Sequence, residues 1–327
     1  MAPALSTGDI ARLQPLVGDP RQLASVRRFT LEDGSEAGVR GLAFDTGGGV
    51  AFWALEGRGL DLATLSFRGM GCAWQGPGGF VRPGLFPAES EAGQGFLRAY
   101  SGLLVTCGLG HTRQPADGVP LHGRLPFQPA RLIAAGEDWD APEPCLFAAA
   151  ELVDAAAGGE NWLLRRRLEA PIGGTTIRLV DTVTNRSATP RPQPILYHFN
   201  LGYPLLRQGA VLTLDGQALA RPPATPQADA RPSVTCRPAG PSDWARCTLA
   251  APAGAGWPGV RLTIAFATDT LPFLQLLEDY RPGMNLIGIE PANTDRGPGG
   301  IGIVTPDVVL EAGASWTYRL AIDVEPA

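Results

Sequence analysis

The sequence predicts an all-β fold, a large antiparallel β-sandwich, on three observations. Apolar and polar residues alternate in short runs, the period of a half-buried strand. Turn formers, drawn from 42 glycines and 31 prolines, break those runs roughly every 8 to 12 positions. No segment requires a helix longer than a few turns.

The elements follow in order. From Thr7 to Ala24 the apolar spacing, interrupted by Pro15, Gly18 and Pro20, predicts one or two brief helices with Thr7 or Asp9 as cap. We therefore divide the chain into a helical lead-in over 1–24 and one sandwich domain over 25–327. Strands are predicted at Val26–Leu31, Val39–Asp45, Val50–Leu55 and Leu60–Phe67. Gly69–Gly95 holds more than ten glycines and prolines and reads as an extended loop, whose Trp74, if exposed, would stack on a sugar ring. Strands resume at Gly102–His111, Leu146–Leu152, Trp162–Leu168, Thr175–Asn185 and Ile195–Leu201. Within Arg165-Arg166-Arg167 neighbouring side chains point to opposite faces, and the run reads as solvated strand positions. Gln217–Pro241, rich in Pro, Ala and Arg, reads as a surface excursion. The last third gives strands at Ala245–Leu249, Val260–Ala267, Phe273–Leu277, Asn285–Glu290, Val308–Glu311 and Trp316–Asp323.

Composition excludes several classes of function. Basic residues number 27 and acidic 32, a net charge of −5 without blocks, which speaks against nucleic acid or an anionic membrane as partner. Every basic residue is arginine, so a lysine Schiff base, a pyridoxal phosphate anchor and a P-loop are excluded. No Gly-x-Gly-x-x-Gly opens a helix after a strand, which argues against a dinucleotide cofactor. The five cysteines are widely spaced and form no Cys-x-x-Cys pair, and they read as small buried apolar residues. No run of 18 uninterrupted apolar residues and no basic-then-apolar leader is present, so the expected location is the cytoplasm. Oligomeric state stays open, a homodimer included.

Three histidines carry most of the chemical interest. His198 sits in the strand Ile195–Leu201, just before a Gly-Tyr-Pro turn, and an imidazole can exchange a proton near neutral pH. Glu290 ends the apolar run Ile287–Ile289, and Pro291 after it is expected to end the strand. A carboxylate base and an imidazole acid facing one pocket would form a general acid/base pair. His111 and His122 could serve a metal, with Glu290 as a further ligand, but no third nitrogen or sulfur ligand stands at a metal-site spacing.

Leu121-His122-Gly123, Tyr197-His198-Phe199-Asn200-Leu201 and Ile289-Glu290-Pro291 resemble, in order and approximate spacing, three signatures of the aldose 1-epimerases, or galactose mutarotases. Gly57-Arg58-Gly59-Leu60-Asp61, the run Gly102–Leu109 and Tyr197–Pro204 are similar to an uncharacterised branch of the same superfamily, over roughly Arg40 to Asp323. The resemblance implies a many-stranded sandwich binding a sugar on the concave face of one sheet, without a cofactor. It implies His198 as acid on the ring oxygen, Glu290 as base on the anomeric hydroxyl, and His122 as a residue assisting in sugar binding. Asn200 and His111 are further candidate substrate contacts. Three positions depart from the family pattern. Gly-Val-Pro-Leu precedes His122 where asparagine is usual, Arg124 replaces a glycine, and Ala292 replaces a glutamine. Arg124, with Arg58 and Asp61, is expected to read a substituent that ordinary hexoses lack.

The reading is therefore an aldose 1-epimerase-like isomerase acting on a small carbohydrate. Three alternatives remain: a carbohydrate-binding protein without turnover, a metal-dependent sugar isomerase or lyase using His111, His122 and Glu290, and a glycosidase with Asp61 or Asp181 as second carboxylate.

Overall fold

The computed structural model describes residues 4–327, so Met1 to Pro3 of the expected lead-in lie outside the described residues. A short helix, Thr7–Leu13, opens the chain. Its cap is Ser6, one residue before the expected Thr7, and Asp9 completes a capping box by bonding back to the Ser6 amide at 2.9 Å.

Twenty-one strands follow among the described residues, and every strand pairing is antiparallel. The first sheet runs β1 (Ser25–Thr30), β2 (Arg40–Asp45), β3 (Val50–Leu55), β4 (Asp61–Phe67) and β5 (Met70–Gly71) in sequence order. A second five-stranded sheet has the order β15 (Ser233–Pro238), β18 (Phe273–Asp279), β19 (Leu286–Ala292), β12 (Ile195–Leu201) and β6 (Leu104–Gly108). The amide just before β6, Leu103 N–H, reaches Ala63 O of β4 at 2.9 Å, which brings these two sheets together edge to edge.

A nine-stranded sheet forms the opposite layer. Its order is β14 (Gln217–Ala220), β13 (Val211–Leu214), β16 (Trp244–Ala251), β17 (Val260–Ala267), β21 (Ser315–Pro326), β10 (Thr176–Asn185), β9 (Asn161–Pro171), β8 (Cys145–Ala155) and β7 (Arg131–Asp138). The remaining two, β11 (Arg191–Pro192) and β20 (Val309–Leu310), pair with each other. One apolar cluster with members from all three large sheets fills the space between the layers, as a sandwich requires. The antiparallel β-sandwich expected from the sequence is therefore the observed fold.

Some expectations are corrected. The excursion over Gln217–Pro241 contributes two strands, β14 and β15, both at sheet edges, where Pro and Arg are tolerated and periodicity is weak. Strands β7 and β13 escaped the sequence reading. Pro291 does not end its strand: β19 continues to Ala292, and Leu274 of β18 pairs opposite the proline.

Arg166 is not solvated. Trp162, Leu164 and Leu168 of β9 face the core, and Arg166 shares their phase. It is 2% exposed, and its guanidinium donates to Asp181 Oδ1 at 2.9 Å and Oδ2 at 2.7 Å, to Thr106 Oγ1 at 2.7 Å and to Asp61. Burial works against its charge, but the two carboxylates outweigh burial and raise its pKa. Tyr197 of β12 donates to the same Asp181 at 2.9 Å, so this polar knot pins the inner face of β12 to the opposite layer.

Strands β12 and β19 are buried along their whole length, on both faces. The inner face meets the core. The outer face is covered by chain from the long loops flanking β6, which pack Trp74, Phe96, Tyr100 and Leu121 over Leu196 and Ala292.

Candidate active site

Strand alternation decides which side chains meet on that covered face. In β12 the inward residues are Tyr197 and Phe199, leaving His198 and Asn200 on the outer face. In β19 Ile287 and Ile289 enter the core, leaving Gly288 and Glu290 outward. The pairs Leu196 with Ala292 and Asn200 with Gly288 fix the register and set His198 opposite Glu290. In β18 Gln275 pairs directly with Glu290.

The imidazole and the carboxylate meet: His198 Nε2 lies 3.2 Å from Glu290 Oε1, each residue 3% exposed. The Tyr100 hydroxyl stands 3.4 Å from Nδ1 and 3.5 Å from Nε2 of the same ring and donates its proton to Asn200 Oδ1. Asn200 in turn donates to Gly102 O at 2.9 Å and to His198 O at 3.2 Å. Burial, and next the Glu290 charge, push the Tyr100 phenol up, so it stays a donor at neutral pH.

His122 closes the site from the loop side. Its ring meets the His198 ring edge-on, 5.6 Å between centroids, and its Nδ1 accepts the Arg113 backbone N–H at 3.3 Å. Burial first, and then the neighbouring His198 and Arg113, hold its pKa well below the usual value, so it is neutral. With Nδ1 accepting, the proton resides on Nε2.

His198, Glu290, Tyr100 and His122 line a cavity of about 290 Å³, near the lower end of small-molecule sites. Phe96, Leu121 and Met284 supply apolar wall, and Arg113, Gln275, Asp279, Arg281 and Arg296 supply polar wall. Asp279 is engaged by Arg281, at 2.9 Å from Nε and 2.6 Å from Nη2.

Gly288 has a local reason to be glycine. A Cβ there would stand 2.8 Å from His198 Cε1 and 3.1 Å from Glu290 Oε1. Glycine inside a strand often marks such a close approach. Replacing it with alanine is expected to displace the imidazole and lower any reaction of this pair by roughly a hundredfold, since an ångström of misplacement has that effect. Kinetics of Gly288→Ala on the folded variant check this; an unchanged rate would separate the pair's geometry from the chemistry.

The other sequence candidates lie elsewhere. Trp74 is 6% exposed, donates Nε1–H to Met284 O at 2.7 Å and packs on Tyr100, so the expected exposed platform is instead a buried support behind the cavity. Asn200 is fully buried and holds Tyr100 and does not line the cavity. Asp61 is tied to Arg166 and to Thr106, whose amide and hydroxyl it accepts at 2.8 and 2.6 Å. Arg58 is buried, and burial pulls its pKa down to about 10. Neither Arg58 nor Asp61 borders the cavity. Arg124 pairs with Glu89 at 2.8 Å and, with His111, borders a different and smaller cavity of about 170 Å³. His111 is thereby separated from Glu290, and among the described residues no three His, Cys, Asp or Glu side chains are gathered to hold a metal.

Sequence reasoning missed Tyr100, Arg113, Gln275, Asp279, Arg281 and Arg296. Gln275 and Asp279 had a signal, since they share the phase of Leu277, which packs on the outer-face cluster. Tyr100 and Arg113 come from irregular chain with no period to read.

Comparison with solved structures places the fold. A presumed aldose 1-epimerase from Klebsiella pneumoniae superposes with a TM-score of 0.80 at 22% identity, covering 95% of this chain and 85% of its own. A galactose mutarotase-like protein from Clostridium acetobutylicum gives 0.54 at 12% identity, covering 92% and 98%. A galactose 1-epimerase from Lactobacillus acidophilus gives 0.53 at 11%, covering 92% and 99%. At these identities the likeness is one of fold, the galactose mutarotase-like sandwich. No curated protein matches the sequence. A family model does match, over residues 36–324, and on that match the chain belongs to the family described as domain of unknown function DUF4432.

Proposed function

We propose that the protein is a cofactor-independent mutarotase, an aldose 1-epimerase-like isomerase that exchanges the anomers of a small sugar. The observation that carries this reading is the 3.2 Å contact between His198 Nε2 and Glu290 Oε1 in the wall of a monosaccharide-sized cavity. In a cyclic hemiacetal the hydroxyl oxygen that loses a proton and the ring oxygen that gains one are both bonded to C1. Acid and base must therefore present their reactive atoms side by side.

In this reading Glu290, ionised, takes the proton of the C1 hydroxyl. The C1–O5 bond breaks as C1–O1 becomes a carbonyl, and His198, protonated, gives its proton to O5. Both side chains are then neutral, and the open-chain aldehyde turns about C1–C2. Reclosure on the other face of the carbonyl returns each proton to its origin, with no change of oxidation state. Tyr100 steadies the imidazole edge, and the Nε2–H of neutral His122 offers a donor to a sugar hydroxyl.

Exchange between anomer signals, followed by saturation-transfer NMR over a panel of aldoses and their acidic derivatives, tests the reading. At least one sugar is expected to exchange well above the buffer rate. Binding without acceleration for every sugar would favour a carbohydrate-binding protein without turnover.

A further inference from the structure

The polar wall facing Glu290 is a surplus of hydrogen-bond donors. Arg113 is 2% exposed, yet its acceptors among the described residues are all uncharged: Gln275 Oε1 at 2.7 Å, Thr294 Oγ1 at 2.8 Å, Thr294 O at 2.7 Å and Thr112 Oγ1 at 3.5 Å. Those bonds account for four of the five guanidinium N–H groups and leave one on Nη2. A buried cation without an anionic partner is costly in the empty protein.

Gln275 repeats the pattern. It is fully buried, and its Nε2 has no partner. A flipped amide would not cure this, because Arg113 Nε–H requires the oxygen where it is. Arg296 also borders the cavity, and among the described residues its guanidinium has neither a hydrogen-bond acceptor nor an ion-pair partner; only its backbone N–H is engaged, at 2.6 Å by Asp295 Oδ1. On the carboxylate side, Asp279 is already neutralised by Arg281 and Glu290 is turned to His198. The cavity thus carries two guanidinium groups and an amide N–H₂ with unused donors, and among the described residues no carboxylate lies within hydrogen-bond distance of those side-chain donors.

From this we infer that the substrate is an anionic sugar, a monosaccharide bearing a carboxylate, sulfate or phosphate, whose charged group docks on Arg113, Gln275 and Arg296 while its anomeric end lies against His198 and Glu290. The inference rests on the mutarotase reading for the second half only; the charge of the ligand follows from the wall alone. It also relocates the expected acid-reading site, which the sequence assigned to Arg124, Arg58 and Asp61. Guanidinium forks suit oxyanions, and a site with unmatched donors rejects a ligand that leaves them unpaired.

Two measurements test it. Calorimetry of the whole protein with galacturonate, glucuronate, glucose 6-phosphate and glucose 6-sulfate, each beside its neutral hexose, is expected to show at least a hundredfold tighter binding for one acid than for its neutral parent. Which acid binds distinguishes carboxylate from phosphate and sulfate. Anomer exchange on the same pairs should show the same preference in kcat/KM, and in Arg296→Ala the acid-to-neutral ratio should collapse through KM, with partial recovery in Arg296→Lys. A neutral hexose binding as tightly as every acid, or an acid preference untouched in Arg296→Ala, overturns the inference. Tight binding of an acid with no exchange would sink the mutarotase reading and leave the anionic ligand standing.

Discussion

Glu290→Gln is expected to lower anomer exchange by roughly 10²- to 10⁴-fold while the protein stays folded, the usual contribution of one positioned proton-transfer group. Glutamine keeps the volume and can still hydrogen-bond His198, so packing around the 3.2 Å contact changes little, but it cannot accept the hemiacetal proton. His198→Gln should fall in the same range. Because both groups act on one C1 centre, the double variant should lose little more than the worse single one; residues working as a unit are strongly non-additive. Losses that simply add would mean that the two act in separate steps.

The largest effect on stability is expected at Arg166. Changing it to leucine removes the one cation that, among the described residues, ion-pairs with both Asp61 and Asp181, leaving two carboxylates inside the sandwich without an ion-pair partner. Breaking a buried pair from one side costs about 3–5 kcal/mol, a large share of the ~5–15 kcal/mol that holds a typical domain together. Its neighbour Arg165 provides the control. That side chain is half exposed and pairs with Glu151 at 3.1 Å, a surface contact worth about 0–1 kcal/mol. Urea titration should therefore show Arg166→Leu far below wild type and Arg165→Leu close to it. Equal, small losses would mean that the buried knot is not what anchors β12 to the opposite layer.

Arg166 also shows what the sequence revealed and what it withheld. Its flanking residues Trp162, Leu164 and Leu168 alternate cleanly, and that phase already placed the arginine inward; a triple-arginine run suggested a solvated face only because charge was weighed above period. Strands with alternation, such as Val50–Leu55 and Val260–Ala267, were legible to the residue because side-chain period and flanking turns agree, and Ile195–Leu201 because turn formers bound a short apolar run. Edge strands β14 and β15 were not, since an edge need not be apolar or free of proline. In the site, His198 and Glu290 could be singled out as scarce titratable groups in apolar strands, and the resemblance linked them. Their meeting depends on a register across two strands far apart in sequence order, which no local pattern encodes. Arg113 and Tyr100 reach the cavity from loops, where position is set by packing and not by period. Trp74 shows the opposite error: aromatic rings in a glycine-rich loop suggested a stacking platform, and the loop instead uses the ring to brace its own fold.

The most direct test is a crystal structure of the protein soaked with the sugar or sugar acid that binds best. The anomeric carbon is expected between His198 and Glu290, its two oxygens within hydrogen-bond reach of Nε2 and Oε1, with any acidic group on the side of Arg113 and Arg296. A sugar seated in the other cavity beside His111 and Arg124, or one whose anomeric end points away from Glu290, would contradict the account.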